Sequence, residues 1–106
     1  MDSATSPLDT ADFEANAREV ADVLRAIGNA RRLQILCLLM EGEATVGTLV
    51  ARVGISQSAL SQHLARMRDE GLLAFRRDRQ TLWYRIADGR IRDLMAELYR
   101  LYCRKA

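Results

Sequence analysis

The chain has 106 residues, which leaves room for one modest core and excludes a function that needs two substrate-binding lobes. Hydrophobic residues make up 49% and charged residues 28%, a balance that predicts folding and excludes intrinsic disorder. The net charge of +2 says little about partners, so any argument for a polyanion rests on where the charges lie.

No apolar run approaches the roughly 18 to 20 residues of a membrane span, and an N-terminus with Asp2, Asp9 and Asp12 lacks a basic-then-apolar signal pattern. A cytoplasmic location and no membrane partner are expected. The two cysteines, Cys37 and Cys103, are far apart in sequence; in a reducing compartment they suggest no disulfide scaffold and leave open a reversible thiol pair.

Residues 1–9, which include the single proline, Pro7, read as a flexible tail, and residues 10–106 as one domain. From Thr10 to Ile27, the residues Phe13, Ala17, Val20, Ala21, Leu24 and Ile27 recur at spacings of three and four and predict one amphipathic helix that Gly28 ends. Asn29 is placed to cap a second helix, whose run from Leu33 to Met40 is apolar nearly all round and therefore central to the core. Gly42 stops that helix. Thr45 caps a short helix with Val46, Leu49, Val50 and Val53, terminated by Gly54, and Ser56 caps a longer one from Gln57 to about Glu70, closed by Gly71.

Helix, tight turn and longer helix over Thr45–Gly71 is helix-turn-helix grammar. The β-prone runs Leu72–Phe75 and Thr81–Ile86 flank a polar stretch, Arg76–Gln80, and predict a β-hairpin, the wing. Asp88 caps a last helix to about Cys103 with an apolar stripe of Ile91, Leu94, Met95, Leu98, Leu101 and Tyr102. A domain this small cannot cover both that stripe and the first helix. The expected fold is thus mainly α with a small β-hairpin, a winged helix-turn-helix, dimerising through its N- and C-terminal helices.

On the helix from Gln57, Leu60, Leu64 and Met67 must face the core, which turns Ser58, Ser61, Gln62 and Ala65 outward. A slim face of Ser and Gln fits a DNA major groove and can bond base edges. From Ser56 to Arg85, six arginines stand against three carboxylates, a local surplus of +3. The residues expected to touch DNA are Ser56, Gln57, Ser58, Ser61, Gln62, His63, Arg66, Arg76, Arg77, Arg79 and Thr81. His63, at the flank of the core side, is expected to pack the helix or touch phosphate rather than catalyse. The hairpin arginines reach phosphates or an adjacent minor groove, or form a merely solvated turn.

The segment Ile55-Ser-Gln-Ser-Ala-Leu-Ser-Gln-His-Leu64, with Gly28-Asn-Ala-Arg-Arg-Leu-Gln-Ile-Leu36 before it and Gly71-Leu-Leu and Thr81-Leu-Trp-Tyr-Arg85 after it, resembles the ArsR/SmtB family of repressors over about residues 10–104. The resemblance implies a homodimer on an imperfectly palindromic operator that lets go on sensing an inducer. Many family members sense metals. Here Leu36-Cys-Leu-Leu-Met40 offers no second cysteine, and the only histidine lies in the reading helix, so no metal and no cofactor are expected.

Leu36-Cys37-Leu38 and Leu101-Tyr-Cys103 are similar to the thiol-sensing, BigR/SqrR/HlyU-like branch. That resemblance implies that Cys37 and Cys103 are the sensor, bridged by reactive sulfur species through a disulfide or polysulfide. Arg100, Arg104 and Lys105 favour a Cys103 thiolate and the helix end disfavours it, so which cysteine attacks first stays open. Cys37 also reads as a plain buried apolar residue. General thiol oxidation, no small inducer at all, antagonism of another DNA-binding protein and metal sensing are the alternatives. No nucleophile with its base and no phosphate-cradling glycine loop is found, so an enzyme is not expected.

Overall fold

A computed structural model describes residues 10–103; the expected tail at 1–9, Arg104 and Lys105 lie outside the described residues. In chain order the elements are α1 (Thr10–Ala15), α2 (Ala17–Ile27), α3 (Ala30–Leu39), β1 (Ala44–Thr45), α4 (Val46–Val53), α5 (Gln57–Asp69), β2 (Leu73–Asp78), β3 (Thr81–Ile86) and α6 (Gly89–Tyr102). The fold is a winged helix-turn-helix, mainly α with one small antiparallel sheet of order β1-β3-β2.

The helix boundaries follow local chemistry. The Asn29 side chain accepts from the N–H groups of Arg31 and Arg32, Thr45 from that of Thr48, Ser56 from that of Ala59 and Asp88 from that of Arg90, satisfying donors that each helix start leaves free. Gly54 closes α4 at φ 81°, a left-handed backbone that a Cβ would strain.

Three features differ from the expectation. The single first helix is broken at Asn16, where ψ is 7° and both the backbone N–H and the side-chain amide donate to the Asp12 carbonyl, at 3.2 and 3.1 Å. A short amide that competes for backbone acceptors disfavours helix continuation. Arg76, Arg77 and Asp78 belong to β2 rather than to the loop: Asp78 pairs with Thr81, so only Arg79 and Gln80 connect the strands. Finally, β1 was not expected; its two residues pair with Trp83 and Tyr84 and are too few to show a period of two.

The core lies where α3, α4, α5, the sheet and α6 meet. Ile35, Leu36 and Leu39 of α3, Leu49 of α4, Leu60, Leu64 and Met67 of α5 and Ile91 of α6 are fully buried. Each such burial stabilises by about 1.5–3 kcal/mol relative to exposure. Helix α2 contributes Ile27 and, in part, Val23 and Ala26. Other apolar residues point elsewhere: Phe13 of α1 and Leu24 of α2 are exposed, as are Tyr99, Leu101 and Tyr102 of α6. The radius of gyration, 16.2 Å, exceeds the about 13 Å of a compact chain of this length.

One ionic junction ties three helices together. The Arg32 guanidinium, 12% exposed, donates to the Ala26 carbonyl at 2.7 Å and to both Glu70 oxygens at 2.8 and 3.2 Å. This holds the end of α2, the start of α3 and the end of α5 in one place. The hydrogen bond from Arg32 lowers the Glu70 pKa, against a smaller desolvation effect. As pH falls, the unfolded chain therefore takes up this proton first, so the junction contributes fully above the ordinary value of 4.5 and fades as pH drops through the lowered folded value. Glu70→Gln is expected to cost about 0.5 kcal/mol at pH 7, a value discounted for a carboxylate 43% exposed. Urea unfolding at several pH values should show that deficit shrinking as the pH is lowered from about 5 toward 3.

Candidate DNA-binding surface and thiol pair

Helix α5 is seated by Leu60, Leu64 and Met67 against α3 and α4, and this sets its rotation. Gln57, Ser58, Ser61, Gln62, Ala65 and Arg66 are all exposed, leaving one slim side of the helix polar and unobstructed. Two of the nominated residues sit differently from these. Ser56 is exposed, yet its Oγ accepts the Ala59 N–H at 3.0 Å as the helix cap. His63 is half-buried and turned toward a cleft between α2, α3, α5 and α6, in the company of Arg32, Arg66 and Glu70.

Strand alternation separates the hairpin arginines. Leu73, Phe75 and Arg77 share one face with Leu82, Tyr84 and Ile86, and this face packs on α5, with the Arg68 guanidinium 5.0 Å from the Phe75 ring centre. Arg77 thus emerges on the α5 side. Arg76 lies on the far face, where its Nε donates to both Glu43 carboxylate oxygens at 3.0 and 3.1 Å and its guanidinium covers Trp83 at 5.6 Å. Sequence reading grouped Arg76 with Arg77 and Arg79 and missed Glu43; the period of two was the available signal for the first point, and nothing local signals the second. Arg77 and Arg79 are exposed and form no ion pair with any described residue. Thr81 is exposed at the start of β3, beside them.

The two cysteines come from opposite parts of the chain to neighbouring helices. Cys37 is half-buried on α3, and Cys103 is exposed at the end of α6, which packs on α3; both are free thiols. Burial raises the Cys37 pKa above 9.0, charge on Cys103 and on Glu41 raises it further, and Arg52 opposes them. Among the described residues no three His, Cys, Asp or Glu side chains cluster as metal ligands. No described helix is long and apolar enough to cross a membrane.

Residues 29–74, from the Asn29 cap to the start of the wing, match the family described as bacterial regulatory protein, arsR family. The chain is 42% identical over 98 residues to the transcriptional activator HlyU of Vibrio cholerae, covering 92% of this chain and 91% of that one. The chain belongs to the arsR family. A second relative, the biofilm growth-associated repressor of Xylella fastidiosa, is 37% identical over 87% of this chain and 81% of its own length. Among solved structures, reduced HlyU from Vibrio cholerae superposes with a TM-score of 0.82 at 43% identity, over 88% of this chain and 98% of that one. A homodimeric winged helix-turn-helix DNA-binding domain from Mycobacterium bovis superposes at 0.72 and 34% identity, over 85% and 84%. As an arsR-family member with this fold, the chain is a DNA-binding transcriptional regulator.

The exposed positions on α5 and the hairpin carry different expected effects. Gln62→Ala should cost about 1–3 kcal/mol on a specific site and little on random duplex, whereas Arg77→Ala should weaken both alike. Arg76→Ala should leave affinity within about threefold and lower thermal stability instead, because its partners are Glu43 and Trp83. Titrations on both duplexes, with melting curves of each variant, check these outcomes.

Proposed function

We propose that this chain is a homodimeric, non-catalytic repressor that binds an imperfectly palindromic operator and releases it when reactive sulfur species bridge Cys37 to Cys103. The observation that carries this reading is the pair itself: two thiols on packed helices, near enough that charge on one raises the pKa of the other. The solved relative described as reduced HlyU supports a redox role for this branch.

Dimerisation is supported by the exposed Phe13, Leu24, Tyr99, Leu101 and Tyr102, which lie on α1, α2 and α6, and by the homodimeric neighbour from Mycobacterium bovis. Isologous pairing of these helices sets two α5 surfaces for two half-sites of a palindrome. In each subunit Ser58, Ser61 and Gln62 face base edges, Gln57, Arg66, Arg77 and Thr81 lie at the border toward phosphates, and Ser56 and His63 hold the helix in place.

Cys103, the exposed thiol, meets the reagent first. Its sulfur attacks the outer sulfur of an organic persulfide, RSSH, giving Cys103–SSH and the thiol RSH. The Cys37 sulfur then attacks the inner sulfur of that persulfide, forming the Cys37–Cys103 disulfide and releasing hydrogen sulfide; the two cysteines lose two electrons and the departing sulfur gains them. Because burial holds the Cys37 proton, the second step should quicken as pH rises through and beyond 9. The bridge ties α3, just ahead of the reading unit, to α6 and changes the angle between the paired α5 helices. A hundredfold loss of operator affinity needs only about 2.7 kcal/mol.

Operator release by an organic persulfide should be abolished in both Cys37→Ser and Cys103→Ser, with reduced-state binding unchanged. Normal release by either variant would overturn the assignment. Mass spectrometry after peroxide, glutathione disulfide or persulfide separates the inducers: bridging by persulfide alone, read as the loss of two hydrogens or as added sulfur where the bridge is a polysulfide, supports persulfide, and equal bridging by all three points to general thiol oxidation.

A further inference from the structure

The last turn of α3 runs on past Leu39: Met40 keeps a right-handed helical backbone, and the Glu41 N–H donates to the Leu38 carbonyl at 3.1 Å. Glu41 therefore stands one turn after Cys37 on the same side of the helix, where β-carbons are about 5–6 Å apart. From α4, the Arg52 guanidinium approaches the Glu41 carboxylate at 3.5 Å, and both side chains are exposed. A carboxylate and a guanidinium thus meet beside a half-buried thiol.

The pair does little for the fold, since an exposed ion pair at that separation adds little to stability. Neighbouring charges are engaged elsewhere: Glu43 holds Arg76, and Arg92 of α6 donates to the Met40 carbonyl at 3.1 Å. Among the described residues, the groups whose charge acts on Cys37 are Glu41 at the end of its own helix, Arg52 on α4 and Cys103 at the end of α6. Burial does most to hold the Cys37 proton, charge on Cys103 and on Glu41 adds to it, and Arg52 works the other way. That proton has to leave before the Cys37 sulfur can attack.

We propose that Glu41 and Arg52 are positioning residues for the bridging step: Arg52, steered by Glu41, supplies the counter-charge to the Cys37 thiolate, Glu41 restrains its formation, and the pair sets how readily Cys37 follows Cys103. This rests on the Cys37–Cys103 sensor reading and adds the residues that regulate its second step. One charge about 6 Å away across solvent changes a thiolate population about threefold, and about twofold in rate, because a more acidic thiol is a weaker nucleophile.

The test first isolates Cys37 in the full chain carrying Cys103→Ser and follows its alkylation by iodoacetamide, an uncharged probe, across pH. At pH 8, Glu41→Gln should raise the rate about twofold and Arg52→Gln should lower it about twofold, with the midpoints of the profiles moving to lower and higher pH respectively. In about 1 M salt the three profiles should draw together. With Cys103 restored, disulfide formation after an organic persulfide should quicken in Glu41→Gln and slow in Arg52→Gln by similar factors. Shifts in the same direction, or shifts that survive salt, would show altered packing over Cys37 and overturn the inference. Unmoved profiles, or moved profiles with unchanged bridging rates, overturn it as well while leaving the sensor reading intact. Normal operator release by Cys37→Ser overturns the sensor reading itself, whatever the profiles show.

Discussion

The removal of Leu60, Leu64 and Met67 from water decides what the outer surface of this protein can be. These three side chains lie on one side of α5 and are fully buried against α3, α4 and the sheet. Their combined burial is worth about 5–9 kcal/mol, comparable to the net stability of a small domain, so the helix has one rotation only. Everything on its opposite side follows from that rotation. Ser58, Ser61, Gln62 and Ala65 face outward because they are the residues left over at 100° per step, and they form a slim surface because none is large.

The position of α5 relative to the terminal helices is held by arginines as well as by the shared apolar core. Arg32 joins the ends of α2 and α5 at the start of α3. Arg90 joins α6 to Glu19 of α2 at 2.7 Å, and Arg92 donates to the Met40 carbonyl just past α3 at 3.1 Å. Asp88 and, to a smaller extent, Glu19 raise the Arg90 pKa, and the hydrogen bonds from Arg90 lower that of Asp88, so Arg90 and Asp88 each favour the charged form of the other. These links place the thiol-bearing helices α3 and α6 in one mechanical frame with the reading helix.

The wing divides its cations by the simplest rule of a β-strand. Successive residues point to opposite faces, so Arg76 and Arg77 have different neighbours although they are adjacent in sequence. Arg76 is drawn into the far face by Glu43 and Trp83, Arg77 is left toward α5, and Arg79 sits beyond both in the turn. Three arginines within four positions thus have three environments, which no count of local charge distinguishes.

The sequence by itself determined whatever depends on near neighbours along the chain. The caps at Asn29, Thr45, Ser56 and Asp88, the left-handed stop at Gly54 and the buried stripe of α5 are all local events within four or seven residues, where helix geometry leaves little choice. The tertiary structure alone decided what depends on partners distant in the chain: the Arg32–Glu70 junction, the Glu43 hold on Arg76, the two-residue strand β1 and the splitting of the apolar surface of α2 into an inward and an exposed side. The break at Asn16 is local too, an exposed amide turned back on the carbonyl four residues earlier, but it left the apolar spacing intact and so did not show in the periodicity. Long-range pairs leave no periodic trace in sequence, because the residues between them carry no record of the distance that folding will close.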